Sequence, residues 1–224
     1  SGLGADYRVF SRLDLSLFKV NHVNWLNFEP GESLQHYAVR LSKQLDTSDK
    51  YAILGVSFGG VLTSEITSFI QPKPEKSIII SSIRSNRELP VYMKIGKFIP
   101  LHRLIPFSSG LSYNYFIYQY FGLKSDAEKQ LLDQILADSD PGLIKWSVDE
   151  IINWKRSEPL KNIVHIHGSD DRVFPVKYCH PDYIVSNAGH FAVYAQAEQV
   201  TQIIKQELIP AGNDFNEENI SETL

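Results

Sequence analysis

A serine between glycines, a pair of aspartates and a histidine behind a glycine are the residues here whose types and spacing could do covalent chemistry. Gly55-Val56-Ser57-Phe58-Gly59-Gly60 follows the apolar run Tyr51-Ala52-Ile53-Leu54 and precedes the helix-like Val61-Leu62-Thr63-Ser64-Glu65-Ile66. A Gly-x-Ser-x-Gly between strand and helix can hold its serine on a sharp turn with the hydroxyl exposed. The glycines leave the turn free of side chains and allow positive φ where the backbone needs it. Ser57 would then be the nucleophile of a hydrolase or acyl transferase. Such a pentapeptide arises by chance in roughly one chain in fifteen of this length. A serine hydroxyl also needs a base to take its proton and an acid to orient that base.

The elements that must position these groups read as alternating strands and helices. Residues 18–26 alternate apolar and polar, as a half-buried strand does. Glu29-Pro30-Gly31-Glu32-Ser33 breaks the run, and Ser33 can cap a helix that places Leu34, Tyr37, Ala38, Leu41 and Leu45 on one face. Residues 51–54 form a second strand, ending at the serine turn, and the next helix runs to about Ile70, where Gln71-Pro72-Lys73-Pro74 stops it. Residues 77–81, 161–167 and 182–186 give three more strands, and 196–208 a closing amphipathic helix with Val200, Ile203, Ile204 and Leu208 on one side. This order predicts a mostly parallel sheet covered by helices on both faces. About eighty residues between the third and fourth strands lack a convincing strand, too many for a plain loop. They contain the aromatic stretch 113–121 and helical periodicity over 126–137 and 141–155, and read as a helical insertion.

In an open parallel sheet, sites form at the carboxyl ends of the strands. The fourth strand ends in His167-Gly168-Ser169-Asp170-Asp171-Arg172-Val173-Phe174-Pro175 and the fifth in Asn187-Ala188-Gly189-His190-Phe191. A serine, an aspartate and a histidine thus arrive in that order at strand ends. Chemistry alone does not separate the adjacent Asp170 and Asp171. His165 lies inside a strand and His167 at its end, where packing is the plain reading. His22, His36, His102 and His180 have no motif around them.

On these motifs the chain resembles the α/β-hydrolase superfamily over residues 1–209. Residues 55–60 resemble its nucleophile elbow, His167-Gly168-x-x-Asp171-x-Val173-x-Pro175 its acid turn, and Ala188-Gly189-His190-Phe191 its histidine loop. The resemblance implies Ser57 as nucleophile, His190 as base and Asp171, rather than Asp170, as acid. It implies a discontinuous core over 1–82 and 160–212, a helical cap over 83–159 and a polar C-terminal tail over 213–224. Ser1-Gly2-Leu3-Gly4 resembles the oxyanion loop, with serine where the family usually has histidine. The backbone N–H groups of Phe58 and Leu3 would then hold the developing oxyanion. In the superfamily a central strand precedes this loop, so an upstream strand beside the nucleophile strand is expected.

Composition excludes other classes. Net charge is −4 with no basic block, which gives nucleic acid no footprint, and a single cysteine, Cys179, permits neither an internal disulfide nor a cysteine-rich zinc site. No apolar run reaches the ~18 residues of a membrane span. No signal peptide is visible, and a cytoplasmic protein is expected. The resemblance implies a carboxylesterase-like enzyme without metal or organic cofactor, acting on a small acyl substrate with an apolar part. A thioesterase, amidase, peptidase or carbon–carbon bond hydrolase would use the same groups, and a non-catalytic small-molecule binder is the rival from another class. Arg84 and Arg87 could reach an anion, and Lys94, Lys97, His102 and Arg103 read as a solvated basic face. Trp146 and Trp154 are expected to pack.

Overall fold

The computed structural model describes residues 1–96 and 111–209, with the backbone alone for 111–114. Within them a parallel sheet runs in the order β1 (Ala52–Val56), β2 (Lys76–Ile80), β3 (Ile163–Gly168), β4 (Tyr183–Val185). Strand order follows chain order; the β1–β2 and β2–β3 crossovers carry α-helices, and the β3–β4 connection only a short 3-10 turn, Val176–Tyr178. The helices are α1 (Leu34–Ser42), α2 (Phe58–Phe69), α3 (Val91–Gly96), α4 (Leu111–Phe121), α5 (Asp126–Asp138), α6 (Pro141–Ile152), α7 (Ala192–Ala195) and α8 (Ala197–Leu208).

Strand alternation sorts the core into two layers. Ile53 faces α2 and packs with Leu34, Tyr37, Leu41, Val61, Leu62 and Ile66, while Val56, Ile78, Ile80 and Ile166 face α8 and its Val200 and Ile204. Ile78, Ile80, Ile166, Val200 and Ile204 have no solvent exposure. Each such side chain contributes roughly 1.5–3 kcal/mol of apolar burial. The helix starts are chemically set. Ser33, Ser125 and Asp140 each accept a backbone N–H at the head of α1, α5 and α6, and Pro141 occupies the first position of α6, where no N–H is needed.

One expected strand is absent from the sheet. Residues 18–26 form neither helix nor strand and pair with no strand. Side chains of α1 and the turn after it take the place of a strand partner. Gln44 accepts the Asn24 N–H at 3.1 Å and donates to the Asn24 carbonyl at 2.9 Å, while the Tyr37 hydroxyl does the same for Leu26 at 3.0 and 2.8 Å. The alternation that mimics a strand reflects Val23, Trp25 and Leu26 packing inward on α1 and α2. β1 is therefore an outer strand of the described sheet. A cavity of about 60 Å³ lined by Val23, Trp25, Leu41, Ile53 and Leu62 lies beside β1. Helices α3–α6 occupy the stretch between β2 and β3 that reads as an insertion. The expected polar tail, Tyr113, Lys97, His102 and Arg103 fall outside what the structure describes in side-chain detail.

Candidate active site

Ser57 stands at the junction of β1 and α2 with φ 53° and ψ −119°, backbone angles that a non-glycine residue adopts only under constraint. The constraint is visible. Its N–H continues the sheet ladder to the Ile80 carbonyl at 2.9 Å, and its own carbonyl accepts Gly60 N–H at 2.9 Å and the Ser82 hydroxyl at 2.6 Å. The positive φ thus belongs to the serine, and the glycines serve space alone. A Cβ on Gly55 would lie 2.3 Å from Gly59 O, one on Gly59 2.2 Å from Ser1 O, and one on Gly60 2.4 Å from Ser82 Oγ.

The two later strands bring the other groups to this turn. His190 Nε2 lies 2.8 Å from Ser57 Oγ, and His190 Nδ1 lies 2.8 Å from Asp171 Oδ2. Asp171 is 3% exposed and its other oxygen accepts the N–H groups of Val173 and Phe174 at 2.8 and 2.9 Å. Asp170, by contrast, is exposed and its carboxylate accepts the Ser169 hydroxyl. Burial pushes the Asp171 carboxyl up, but the charge and N–H of His190, the neighbouring His167 and the Phe174 N–H outweigh it, and the group is held below the usual carboxylate range. An ionised Asp171 accepts only, so Nδ1 of His190 carries the proton and Nε2 is left to accept from Ser57.

The histidine is seated from three sides. Its backbone N–H donates to the Phe121 carbonyl at the end of α4 at 3.0 Å, the Phe121 ring meets the imidazole edge-on with centroids 5.2 Å apart, and the Phe174 ring lies 5.6 Å from it. Gly189 allows this approach, since a Cβ there would lie 2.6 Å from Phe121 O. The hydroxyl of Tyr92 in α3 also donates toward the acid turn, with the carbonyls of Arg172 and Val173 at 3.0 and 2.9 Å and the Tyr120 hydroxyl at 3.0 Å.

The N-terminal loop rests on the elbow. Ala5 N–H donates to Gly2 O at 3.0 Å across a turn whose third residue, Gly4, has φ 68°, the positive φ that a type II turn demands. A Cβ on Gly2 would lie 3.4 Å from Ser57 Cβ. Trp25 anchors the loop through its indole N–H to Ala5 O at 2.5 Å and stacks on Phe58. Neither Leu3 N–H nor Phe58 N–H has an acceptor among the described residues.

Other residues singled out in the sequence do other work. Arg84 pairs with Asp182 and Glu88, Arg87 with Glu158, and the Lys94 ammonium donates to the Arg87 carbonyl. Trp146 stacks on Phe28 and meets Tyr37 at a tilt, and Trp154 is buried with its N–H on Glu65. Cys179 is buried, and its thiol is pushed up, first by burial. From the aromatic stretch, Phe121 reaches the site, Tyr118 packs, and Tyr115 and Phe116 face outward. Ser82, Phe121 and His167 are contacts that residue-by-residue reading passes over. The parallel register that pairs Val56 with Ile80 signals the first, because it carries Ser82 to the height of the elbow. Among the described residues, Glu29, Glu32 and His36 place possible ligand atoms within 4.8 Å of one another, but both carboxylates already pair with Arg40.

Solved structures share this arrangement of parallel strands and helices. A thermophilic esterase from Thermogutta terrifontis superposes with TM-score 0.67 at 14% identity, covering 92% of this chain and 86% of its own. This chain has the α/β-hydrolase fold. A bromoperoxidase from Bacillus anthracis aligns at TM-score 0.66 and 14% identity over 93% of this chain and 89% of its own. The 2-hydroxy-6-oxo-6-phenylhexa-2,4-dienoate hydrolase of Rhodococcus sp. strain RHA1 aligns at TM-score 0.60 and 15% identity over 92% and 87%. No family model and no curated protein matches the sequence. No helix among the described residues is long and apolar enough to cross a membrane.

Proposed function

We propose that the protein is a serine hydrolase that cleaves an ester or related acyl bond through an acyl-enzyme on Ser57. The observation that carries this reading is the continuous relay from Ser57 Oγ through His190 to Asp171, with both links at 2.8 Å. His190 Nε2 takes the hydroxyl proton as Ser57 Oγ attacks the acyl carbon, and the N–H groups of Phe58 and Leu3 receive the negative oxygen. The imidazolium returns the proton to the leaving alcohol as the carbon–oxygen bond breaks. Water then enters, gives a proton to His190 and its oxygen to the acyl carbon, and the acid leaves while Ser57 regains its proton. Asp171 stays ionised throughout. Helices α3–α6 serve as a cap, and α4 both covers His190 and offers Phe121 as an apolar wall for the acyl part. A carboxylesterase is the plain member of this class, and the esterase and carbon–carbon bond hydrolase of the same fold mark the range of bonds such a site serves.

A fluorophosphonate–rhodamine probe should label the folded protein, and Ser57→Ala should abolish labelling. Short p-nitrophenyl esters should be hydrolysed by the first and not by the second. A folded protein that neither labels nor turns over these esters would sink the enzymatic reading and leave a small-molecule binder.

A further inference from the structure

Two histidines on β3 remain outside the relay just described. His165 and His167 alternate inward on the strand and are both fully buried, an unusual place for two titratable rings. His165 Nε2 lies 2.9 Å from His167 Nδ1. His167 Nε2 lies 2.7 Å from the Phe174 carbonyl and 3.3 Å from Asp171 Oδ2, the oxygen that also receives His190. Both neighbours of that nitrogen are pure acceptors, so Nε2 must carry the proton. Burial, the largest influence, holds both rings toward the neutral form against the pull of Asp171 on His167. A neutral His167 then has a bare Nδ1, which takes its hydrogen bond from the Nε2–H of His165. The tautomer of each ring is thereby fixed, and the pair donates in one direction, from His165 through His167 to the acid turn.

We propose that His167, held in one tautomer by the Phe174 carbonyl and Asp171 and bonded at its Nδ1 by His165, is a positioning residue that fixes the Asp171 carboxylate against His190. The turn explains how. Phe174 is gripped at both of its main-chain polar groups, its N–H by Asp171 Oδ1 at 2.9 Å and its carbonyl by His167 at 2.7 Å. Asp171 is therefore clamped through the backbone it bonds, while His167 Nε2–H also lies 3.3 Å from Oδ2 and opposes rotation of the carboxylate away from His190. His165 Nδ1 makes no hydrogen bond of good geometry among the described residues, and the Ser82 backbone also bears on the ring.

The inference rests on the hydrolase reading, and its test separates the two. Long-range ¹H–¹⁵N spectra of the wild-type protein should show His165 and His167 both as Nε2–H tautomers. An Nδ1–H tautomer at His167 overturns the proposal whether or not the protein labels with a fluorophosphonate. In His167→Leu, kcat for p-nitrophenyl butyrate and the rate of fluorophosphonate labelling should fall roughly 10- to 100-fold, the range that outer partners of metal-bound histidines command. KM should stay within about twofold, since no substrate-touching group changes. His167→Gln, whose amide N–H can stand where Nε2–H stood, should recover most of the loss. A folded His167→Leu protein with wild-type kcat refutes the proposal, and so does a loss that His167→Gln does not relieve. Absent labelling of the wild type refutes the hydrolase reading instead.

Discussion

Replacing Asp171 by asparagine tests the relay at its most constrained point. The carboxylate has one oxygen committed to two backbone donors, Val173 N–H and Phe174 N–H, and the other facing His190 and His167. An amide here has only one orientation. Its NH2 cannot face two N–H groups, so the carbonyl oxygen takes the Oδ1 position and the NH2 turns to His190. That NH2 donates to Nδ1 and drives the imidazole proton onto Nε2, 2.8 Å from Ser57 Oγ. The base then presents a proton where it must accept one. The expected cost is about 10⁴-fold in kcat, or about 5.5 kcal/mol in the barrier.

Asp170→Asn is the internal control. Its side chain is exposed and meets the Ser169 hydroxyl, a contact an amide oxygen preserves. Rates should stay within about threefold of wild type, as expected for a surface change of a few tenths of a kcal/mol. Both variants would be assayed by p-nitrophenyl butyrate hydrolysis and by the rate of fluorophosphonate labelling, with a thermal melt to check folding. A folded Asp171→Asn protein within tenfold of wild type refutes the tautomer argument. A loss in Asp170→Asn that equals or exceeds it moves the acid to the neighbouring residue.

Three further outcomes follow from close contacts and buried charge. In Gly189→Ala the new Cβ would lie 2.6 Å from Phe121 O and 2.9 Å from Gly122 Cα, so the His190 loop must part from α4; stability should drop by about 1–3 kcal/mol in urea, and labelling should slow by more than that loss of folded protein explains. In Gly60→Ala the Cβ would lie 2.4 Å from Ser82 Oγ and 2.5 Å from Ser82 Cβ; Ser82→Gly made with it should restore part of the stability, a favourable coupling of about 1 kcal/mol or more in a double-mutant cycle, and simple additivity would contradict the packing described. His165 and His167 both have folded values below that of a free imidazole, so the unfolded chain binds protons that the native state refuses; stability should be full above about pH 6.5 and fall as pH drops toward 5, by at most about 1.4 kcal/mol per pH unit for each histidine. With Arg84, Asp171 and His190 left facing the site, His165→Leu should remove up to about one proton from that slope, and an unchanged slope would show that His165 is protonated in the native state.

What was legible in the sequence was whatever a single stretch of chain enforces. Gly55, Gly59 and Gly60 announce an elbow by their spacing around Ser57, although the atoms that bar a side chain include remote ones: Gly59 O and Thr63 Oγ1 for Gly55, Ser1 O for Gly59 and Ser82 Oγ for Gly60. The strand ends beyond β3 and β4 follow from apolar runs broken at Gly168 and at Ala188-Gly189, and a parallel sheet leaves those ends on one edge. Residues 18–26 show where such reading stops. Alternation reports which side chains are buried, but a strand exists only if its backbone groups meet another strand's, and Gln44 and Tyr37 meet them here instead. The same reason hid Phe121, Ser82 and His167. Phe121 reaches His190 through a main-chain carbonyl, which no residue type advertises. Ser82 acts at the elbow only because β1 and β2 are in register. His167, on a buried strand, reads as packing until the acid turn folds back and brings the Phe174 carbonyl and Asp171 onto its one protonated nitrogen. A triad can therefore be spelled out by local motifs, whereas the contacts that hold it in tune are long-range and become readable only once the register of the sheet is known.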